Sequence, residues 1–191
     1  MKTIGITGGI GSGKSVISRI LKIMGYPVYD SDLWAKYLMN NDQTIRQTLI
    51  NKFGAQTYTN KKLNKIYLAQ QIFNNKENLI FVNSIVHPIV CNHFLQWAEK
   101  RQSKLVFIES AILFSSGLNK IIDKIICVDA PQDIRLKRAM NRDNASADAI
   151  IARIKNQIND NKYAITHSDY VITNDNLTLI TPQIITILQK L

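Results

Sequence analysis

The sequence predicts an α/β protein, a parallel sheet flanked by helices with a helical segment inserted into it and a helical lid. Three observations carry that expectation. Residues 3–7 form a short β-type run, a glycine-rich stretch follows at once, and Val16, Ile17, Ile20, Leu21, Ile23 and Met24 then recur at helical spacing. Further short β-rich runs lie at Leu105-Val106-Phe107-Ile108, Ile125-Ile126-Cys127-Val128 and Tyr170-Val171-Ile172, and continuous apolar runs of that length suit strands buried on both faces of a parallel sheet. Between Leu33 and Ser103 the spacing is mainly helical, and a stretch of about seventy residues far exceeds an ordinary strand-to-helix connection.

The elements follow in order. Gly25 stops the first helix, Pro27-Val28-Tyr29 reads as the second strand, and Asp30-Ser31-Asp32 closes it. The inserted region is expected to hold no strand and to break at Gly54 and at His87-Pro88. Pro131 suits the first position of a helix containing Ile134, Leu136, Ala139 and Met140. Another helix is expected over about 146–157 and a last one over about 183–191.

Composition narrows the class. A chain of 191 residues with 46% hydrophobic content fits one packed domain. No run of about 18 consecutive apolar residues appears, and the N-terminal stretch turns glycine-rich and then basic, unlike a secretory leader, so a cytoplasmic protein without membrane attachment is expected. Cys91 and Cys127 are far apart and lack the spacing of a disulfide framework or a zinc site. The formal net charge of +10 favours an anionic partner. The lysines are scattered among asparagines (Asn51-Lys52, Asn60-Lys61-Lys62, Asn64-Lys65, Asn161-Lys162) instead of forming one basic block, which reads as a solvated surface and not as a nucleic-acid interface.

Gly8-Gly9-Ile10-Gly11-Ser12-Gly13-Lys14-Ser15 satisfies G-x-x-x-x-G-K-[ST] between a strand and a helix, the context that pattern requires. This is a P-loop. Its backbone N–H groups and the helix N-terminus favour phosphate oxygens, so Gly8, Gly9, Ile10, Gly11, Ser12, Gly13, Lys14, Ser15 and Val16 are the expected nucleotide contacts. Lys14 would hold the β- and γ-phosphates and the Ser15 hydroxyl would ligate Mg²⁺, which makes ATP and Mg²⁺ the expected cofactors. A P-loop alone does not choose an acceptor.

Two other groups bear on that choice. In extended chain Asp30 and Asp32 point the same way, so one of them could accept the proton of an attacking hydroxyl. The competing account of Asp32, a cap on a helix starting near Leu33, has equal weight on local sequence. Arg135, Arg138 and Arg142 stand at i, i+3 and i+7 on one helix face, where guanidiniums could close over a triphosphate.

Together these segments resemble the dephospho-CoA kinase family. Residues 7–15, TGGIGSGKS, are similar to that family's opening, and Asp30-Ser31-Asp32 falls where the family has a D-x-D element whose second Asp is taken as catalytic base. Phe53-Gly54, Leu63-Asn64-Lys65 and His87-Pro88 follow the order of elements in its helical CoA-binding region. Residues 136–143, LKRAMNRD, resemble the lid, Arg153-Ile154 with Gln157 resembles R-I-x-x-Q, and 168–174 resemble a terminal A-D-x-V-I-x-N whose Asn lies near adenine. The resemblance implies phosphorylation of the ribose 3′-hydroxyl of dephospho-CoA, the last step of coenzyme A synthesis; the sequence does not fix the oligomeric state, and a monomer is favoured. It gives Asp32, Lys14 and Arg138 catalytic roles, Arg142 and Asn174 nucleotide contacts, Asp30, Asp32, His87 and Lys65 substrate contacts, and Ser15 and Glu109 the metal. The nucleotide core would comprise 1–32 and 103–191, the CoA-binding insert 33–102 and the lid about 131–157. Three positions depart from the family: Ala111 stands where a proline is usual, Ser115 where a glutamate is usual and Lys65 where an arginine is usual. The lysine keeps charge and loses a bidentate grip. His93 and His167 lack metal spacing, and Trp34 and Trp97 read as packing residues. A kinase for another small alcohol and a nucleic-acid-binding ATPase are the rival readings.

Overall fold

The computed structural model describes residues 1–73, 75–156 and 158–191, so Gln157 of the expected R-I-x-x-Q element lies outside the described residues. The chain divides into two compact units, Met1–Tyr29 with Ala98–Leu191, and Asp30–Trp97.

β1 (Lys2–Thr7) leads through the glycine loop into α1 (Lys14–Ile23). α1 ends at a glycine in the left-handed region: Gly25 has φ 90°, and the N–H groups of Gly25 and Tyr26 donate back to the carbonyls of Lys22 and Leu21 at 3.0 Å each. β2 (Val28–Asp30) follows, and the Asp30 carboxylate accepts the Leu33 N–H at 2.9 Å, capping α2 (Ser31–Asn41). The cap is therefore Asp30 and not Asp32, because the helix begins at Ser31, ahead of the apolar pattern that starts at Leu33. Asp32 sits in the first turn, exposed.

Within the unit Asp30–Trp97, α3 (Gln43–Phe53), the strands β3 (Tyr58–Thr59) and β4 (Lys62–Leu63), α4 (Lys65–Phe73) and α5 (Lys76–Glu99) come next. The antiparallel β3–β4 hairpin corrects the expectation that this region holds no strand. Its turn residues Asn60 and Lys61 both have positive φ, 51° and 63°, as a two-residue turn joining twisted strands requires. Lysine at the second turn position, where glycine is the usual signal, hid the hairpin. Arg46 fastens it, with its guanidinium 4.3 Å from the Tyr58 ring centroid and Nη1 donating to the Lys61 carbonyl at 2.8 Å.

α5 corrects a second expectation, since it runs through His87-Pro88 without a break. Val82, Val86, Val90 and Phe94 form a buried stripe at every fourth position, and that packing outweighs the single helical hydrogen bond that Pro88 cannot make. By length and composition alone α5 is also apolar enough to cross a membrane, a test that a core helix of a soluble protein passes equally.

The remaining elements are β5 (Leu105–Glu109), β6 (Lys124–Asp129), α6 (Gln132–Asp143), α7 (Ala147–Asn156), α8 (Ile158–His167), β7 (Tyr170–Thr173) and α9 (Ile180–Leu188). Pro131 has ψ 144° and so occupies the cap position of α6, one residue before the helical position expected for it. α8 had no counterpart in the apolar pattern; its Asn, Asp and Thr content gives it weak intrinsic helix preference.

Five strands form a parallel sheet in the order β2-β5-β1-β6-β7. β1 lies at its centre, with Ile6 level with Glu109 on one side and Thr7 level with Cys127 on the other. Ile4, Ile6, Phe107, Ile126, Val128 and Ile172 from the strands meet Ile17 and Leu21 of α1 and Ile184 and Ile187 of α9 in one core. Burying such side chains contributes about 1.5–3 kcal/mol each, so the centre of the sheet is a stiff base for the loop that leaves β1. Cys127 is a buried free thiol in this core region and Cys91 is a partly buried one.

Asp30→Ala removes the cap of α2 and is expected to lower stability by about 1 kcal/mol in denaturant unfolding, whereas Asp30→Asn keeps it. Equal stability of the two variants would show that the cap contributes nothing.

Candidate active site

In an open sheet of parallel strands, ligands sit outside the carboxyl ends, near the strand where connections diverge to opposite sides. Here that strand is β1, flanked by β5 and β6. The glycine loop continues directly from Thr7. Glu109 ends β5 on one side of it, and Asp129 ends β6 on the other, level with Thr173 of β7.

The loop is held by donors directed at its carbonyls. Lys14 Nζ donates to the carbonyls of Gly8 at 2.9 Å and Gly9 at 3.3 Å. Asn174, buried just beyond β7, donates from Nδ2 to the Ser12 carbonyl at 2.7 Å and accepts from Arg138 Nη2 at 3.0 Å. Arg138 also reaches the Ser12 carbonyl through Nη1 at 3.5 Å and the Oδ1 of Asn176 through Nη2. Gly13 cannot be replaced without movement, because it has φ 101° and a Cβ there would stand 2.1 Å from Asn174 Nδ2. The Ile10 side chain packs with Ala139 of α6 and Ile150 and Ile154 of α7, so the apolar tip of the loop is gripped by the two helices expected to form the lid.

The arginine row of α6 therefore divides. Arg135 is buried and its Nε donates to the Ile10 carbonyl at 3.0 Å. Arg138 joins the loop and Asn174. Arg142 is turned elsewhere: it is exposed and pairs with Asp143 at 2.7 Å, and Asp143 in turn binds Arg153 of α7 at 2.6 Å. Hydrogen bonds from Arg142 and then Arg153 hold the Asp143 carboxyl well below the usual carboxylate range. Two further asparagines emerge that sequence reading did not select. Asn176 bonds Arg138, and Asn161 lines an open cleft with Gly8, Gly9, Ala111, Phe114 and Tyr163. Nothing distinguishes either in the sequence, where asparagine is abundant.

Ser15 and Val16 are exposed in the first turn of α1. Of the residues that depart from the family pattern, Ala111 and Ser115 both line the cleft, with Ser115 exposed. In the other unit, Asp30 and Asp32 lie at the start of α2, Lys65 is exposed at the start of α4, and His87 is half-buried in α5, where burial pushes its imidazole below the usual value. Trp34 packs on Tyr37 and on His93, ring centroids 5.4 and 4.4 Å apart, and Phe94 stacks on Trp97, which accounts for both tryptophans and for His93 as packing residues. His167 stacks on Tyr163 at 3.7 Å. Among the described residues no three His, Cys, Asp or Glu side chains cluster to hold a metal ion. Mg²⁺ is usually bound by few protein oxygens together with phosphates and water, and Ser15 at the head of α1 and Glu109 at the end of β5 are oxygen-bearing side chains that could serve it.

A parallel sheet with a lysine-bearing glycine loop leaving its central strand defines the P-loop nucleotide-binding proteins, of which the P-loop kinases are one branch. A family model described as dephospho-CoA kinase matches residues 2–179. The dephospho-CoA kinase of Porphyromonas gingivalis is 46% identical over 189 residues, covering 99% of this chain and 94% of that protein. That of Bacteroides fragilis (strain YCH46) is 42% identical over 183 residues, covering 95% and 89%. Among solved structures, dephospho-CoA kinase from Campylobacter jejuni superposes with a TM-score of 0.73 at 26% identity, covering 100% of this chain and 97% of that one. Shikimate kinase from Bacteroides thetaiotaomicron, at 14% identity and a TM-score of 0.58 over 100% and 99% of the two chains, shares the fold. The chain belongs to the dephospho-CoA kinase family, and it is an enzyme of the last step of coenzyme A synthesis.

Asn174→Ala leaves the Ser12 carbonyl only the long 3.5 Å contact from Arg138 and takes one partner from that guanidinium. Removing the partner of a buried polar group costs about 1–3 kcal/mol, so a clear drop in unfolding midpoint together with slower turnover is expected. Normal stability would mean that water or another donor replaces Asn174 without loss.

Proposed function

We propose the following division of labour in transfer of the ATP γ-phosphoryl group to the ribose 3′-hydroxyl of dephospho-CoA. The observation that carries it is the convergence of Lys14, Arg138 and Asn174 on the backbone of a single phosphate loop. Phosphoryl transfer needs little covalent chemistry from protein, so positioning and charge supply most of the catalysis. The loop's N–H groups and Lys14 bind the β- and γ-phosphates. Ser15 and Glu109 hold Mg²⁺, whose charge offsets that of the phosphates. Arg138 contacts the transferring group as its negative charge redistributes, and Arg142 can do so only after leaving Asp143.

Asp32 is the general base. Two facts support this role: Asp30 takes the capping task, and the Asp32 carboxylate is exposed in the first turn of α2. The resemblance of Asp30-Ser31-Asp32 to the family's D-x-D element points the same way. Lys65 and His87 in the unit Asp30–Trp97 contribute to holding the CoA portion of the acceptor.

The reading is tested with purified protein, ATP-Mg²⁺ and a panel of dephospho-CoA, adenosine, pantetheine and nucleoside monophosphates. Only dephospho-CoA is expected to gain phosphate; a different acceptor would replace the substrate assignment. Lys14→Ala should lose on the order of 10² to 10³ in rate with the melting temperature retained.

Asp32→Asn should lose about 10² to 10⁴ in kcat with little change in stability, since Asp32 is not the cap. A fully active Asp32→Asn enzyme would remove Asp32 from the proton transfer.

A further inference from the structure

Arg135 is the one arginine of the α6 row that is nearly inaccessible, 6% exposed. Burial of a guanidinium is costly unless its charge is paired and its N–H groups are satisfied. Here neither condition is met in full. No salt bridge forms to Arg135 among the described residues, and the only hydrogen bond of its side chain runs from Nε to the Ile10 carbonyl of the phosphate loop. Nη2 is buried with no partner, and so is Oδ1 of Asn161 on α8. Burial lowers the proton affinity of Arg135, while the Asp129 carboxylate at the end of β6 opposes that effect from a distance.

The unpaired atoms border one spot. A Cβ on Gly9 would stand 2.4 Å from Arg135 Nη2 and 3.0 Å from Asn161 Oδ1, and a Cβ on Gly11 would stand 2.2 Å from the Arg135 carbonyl oxygen. Both contacts are closer than real Cβ atoms approach, so the first half of the loop lies pressed against Arg135, and glycine at both positions is what permits it. Among the described residues, the one side-chain hydrogen bond of this buried cation goes to the phosphate loop.

We infer that Arg135 is a positioning residue for ATP: it clamps the outer face of the loop at Gly9, Ile10 and Gly11 and so presets the inner N–H groups for the β- and γ-phosphates, without touching the nucleotide. This rests on the ATP-dependent reading of the loop given above. Arg138 and Asn174 hold the second half of the loop at Ser12, and Arg135 holds the first. Each half thus takes an arginine from α6 beside its other donors, Lys14 at Gly8 and Gly9 and Asn174 at Ser12, which makes the phosphate site sensitive to the seating of α6.

The test uses the full chain. Wild-type protein is first shown to phosphorylate dephospho-CoA; failure there would count against the kinase reading and leave the clamp undecided only until ATP binding is measured directly by calorimetry without acceptor. Arg135→Ala, Arg135→Gln, Gly9→Ala and the Gly9→Ala/Arg135→Ala double variant are then compared for ATP affinity, kcat, KM for each substrate and melting temperature. Arg135→Ala is expected to weaken ATP binding about tenfold or more, as loss of a charge-assisted hydrogen bond would, while KM for dephospho-CoA stays unchanged. Arg135→Gln, which still offers an N–H to the Ile10 carbonyl, should recover most of that loss. Gly9→Ala should reproduce the ATP defect, and the double variant should be less than additive, because both changes break one contact. Unchanged ATP affinity in Arg135→Ala, equal weakening toward both substrates, or full additivity with Gly9→Ala would each overturn the proposal. Where Arg135→Ala does not fold, Arg135→Gln and Gly9→Ala decide it: wild-type ATP affinity in Gly9→Ala, with the clamp displaced, would overturn it as well.

Discussion

A loop that turns its N–H groups toward a ligand must turn carbonyls the other way, and those carbonyls need donors of their own. That requirement organises the nucleotide-binding half of this protein. The carbonyls of Gly8 and Gly9 take the Lys14 ammonium, Ile10 takes Arg135, and Ser12 takes Asn174 with Arg138. Lys14 belongs to the end of the loop itself, Arg135 and Arg138 to α6 and Asn174 to the segment after β7, and the sheet brings these three places together. The loop is therefore held from outside by tertiary contacts, and its conformation does not rest on glycine alone.

The helix that follows β6 performs two tasks at once. α6 buries Ala139 against Ile10 and directs Arg135 and Arg138 at the loop backbone. Its last turn is bound differently, with Arg142 and Arg153 sharing Asp143 and so joining α6 to α7. Arg142 and Asp143 are exposed, so this network is weak in energy. The firmly packed start of α6 and its loosely paired end give the two arginines of the resemblance different environments: Arg138 lies beside the loop, and Arg142 is paired with Asp143.

The unit Asp30–Trp97 follows a different plan. Its helices are stapled by Asp caps, aromatic pairs and a stripe of valines on α5, and a short hairpin tied down by Arg46 interrupts them. Asp30 shows how closely structural and chemical duties adjoin here. It satisfies an N–H at the head of α2 and leaves Asp32, two residues on, with its carboxylate in solvent. One D-x-D element therefore supplies both a helix start and an acid-base candidate, and the geometry of the first determines the orientation of the second.

Much of this was legible in the sequence because it is local. The strand-loop-helix around Lys14, the continuous apolar strands, the Gly25 stop and the membership of the family all depend on residues adjacent in the chain, where spacing and backbone preference act directly. Elements set by packing were misread or missed: the break at Pro88 disappears under the stripe of α5, the hairpin forms around Lys61 instead of a glycine, and α8 assembles from residues with weak helix preference. The site divides the same way. Its phosphate loop is a sequence property, since glycines, lysine and serine at fixed offsets suffice to define it. Only the tertiary structure decided that Asn174 serves the Ser12 carbonyl, that Asp30 takes the cap, and that Arg135, Arg138 and Arg142 face three different partners. Helical spacing can place three arginines on one side of a helix, but which carbonyl, amide or carboxylate each one meets depends on chain segments far away in sequence, brought there by the burial of the sheet.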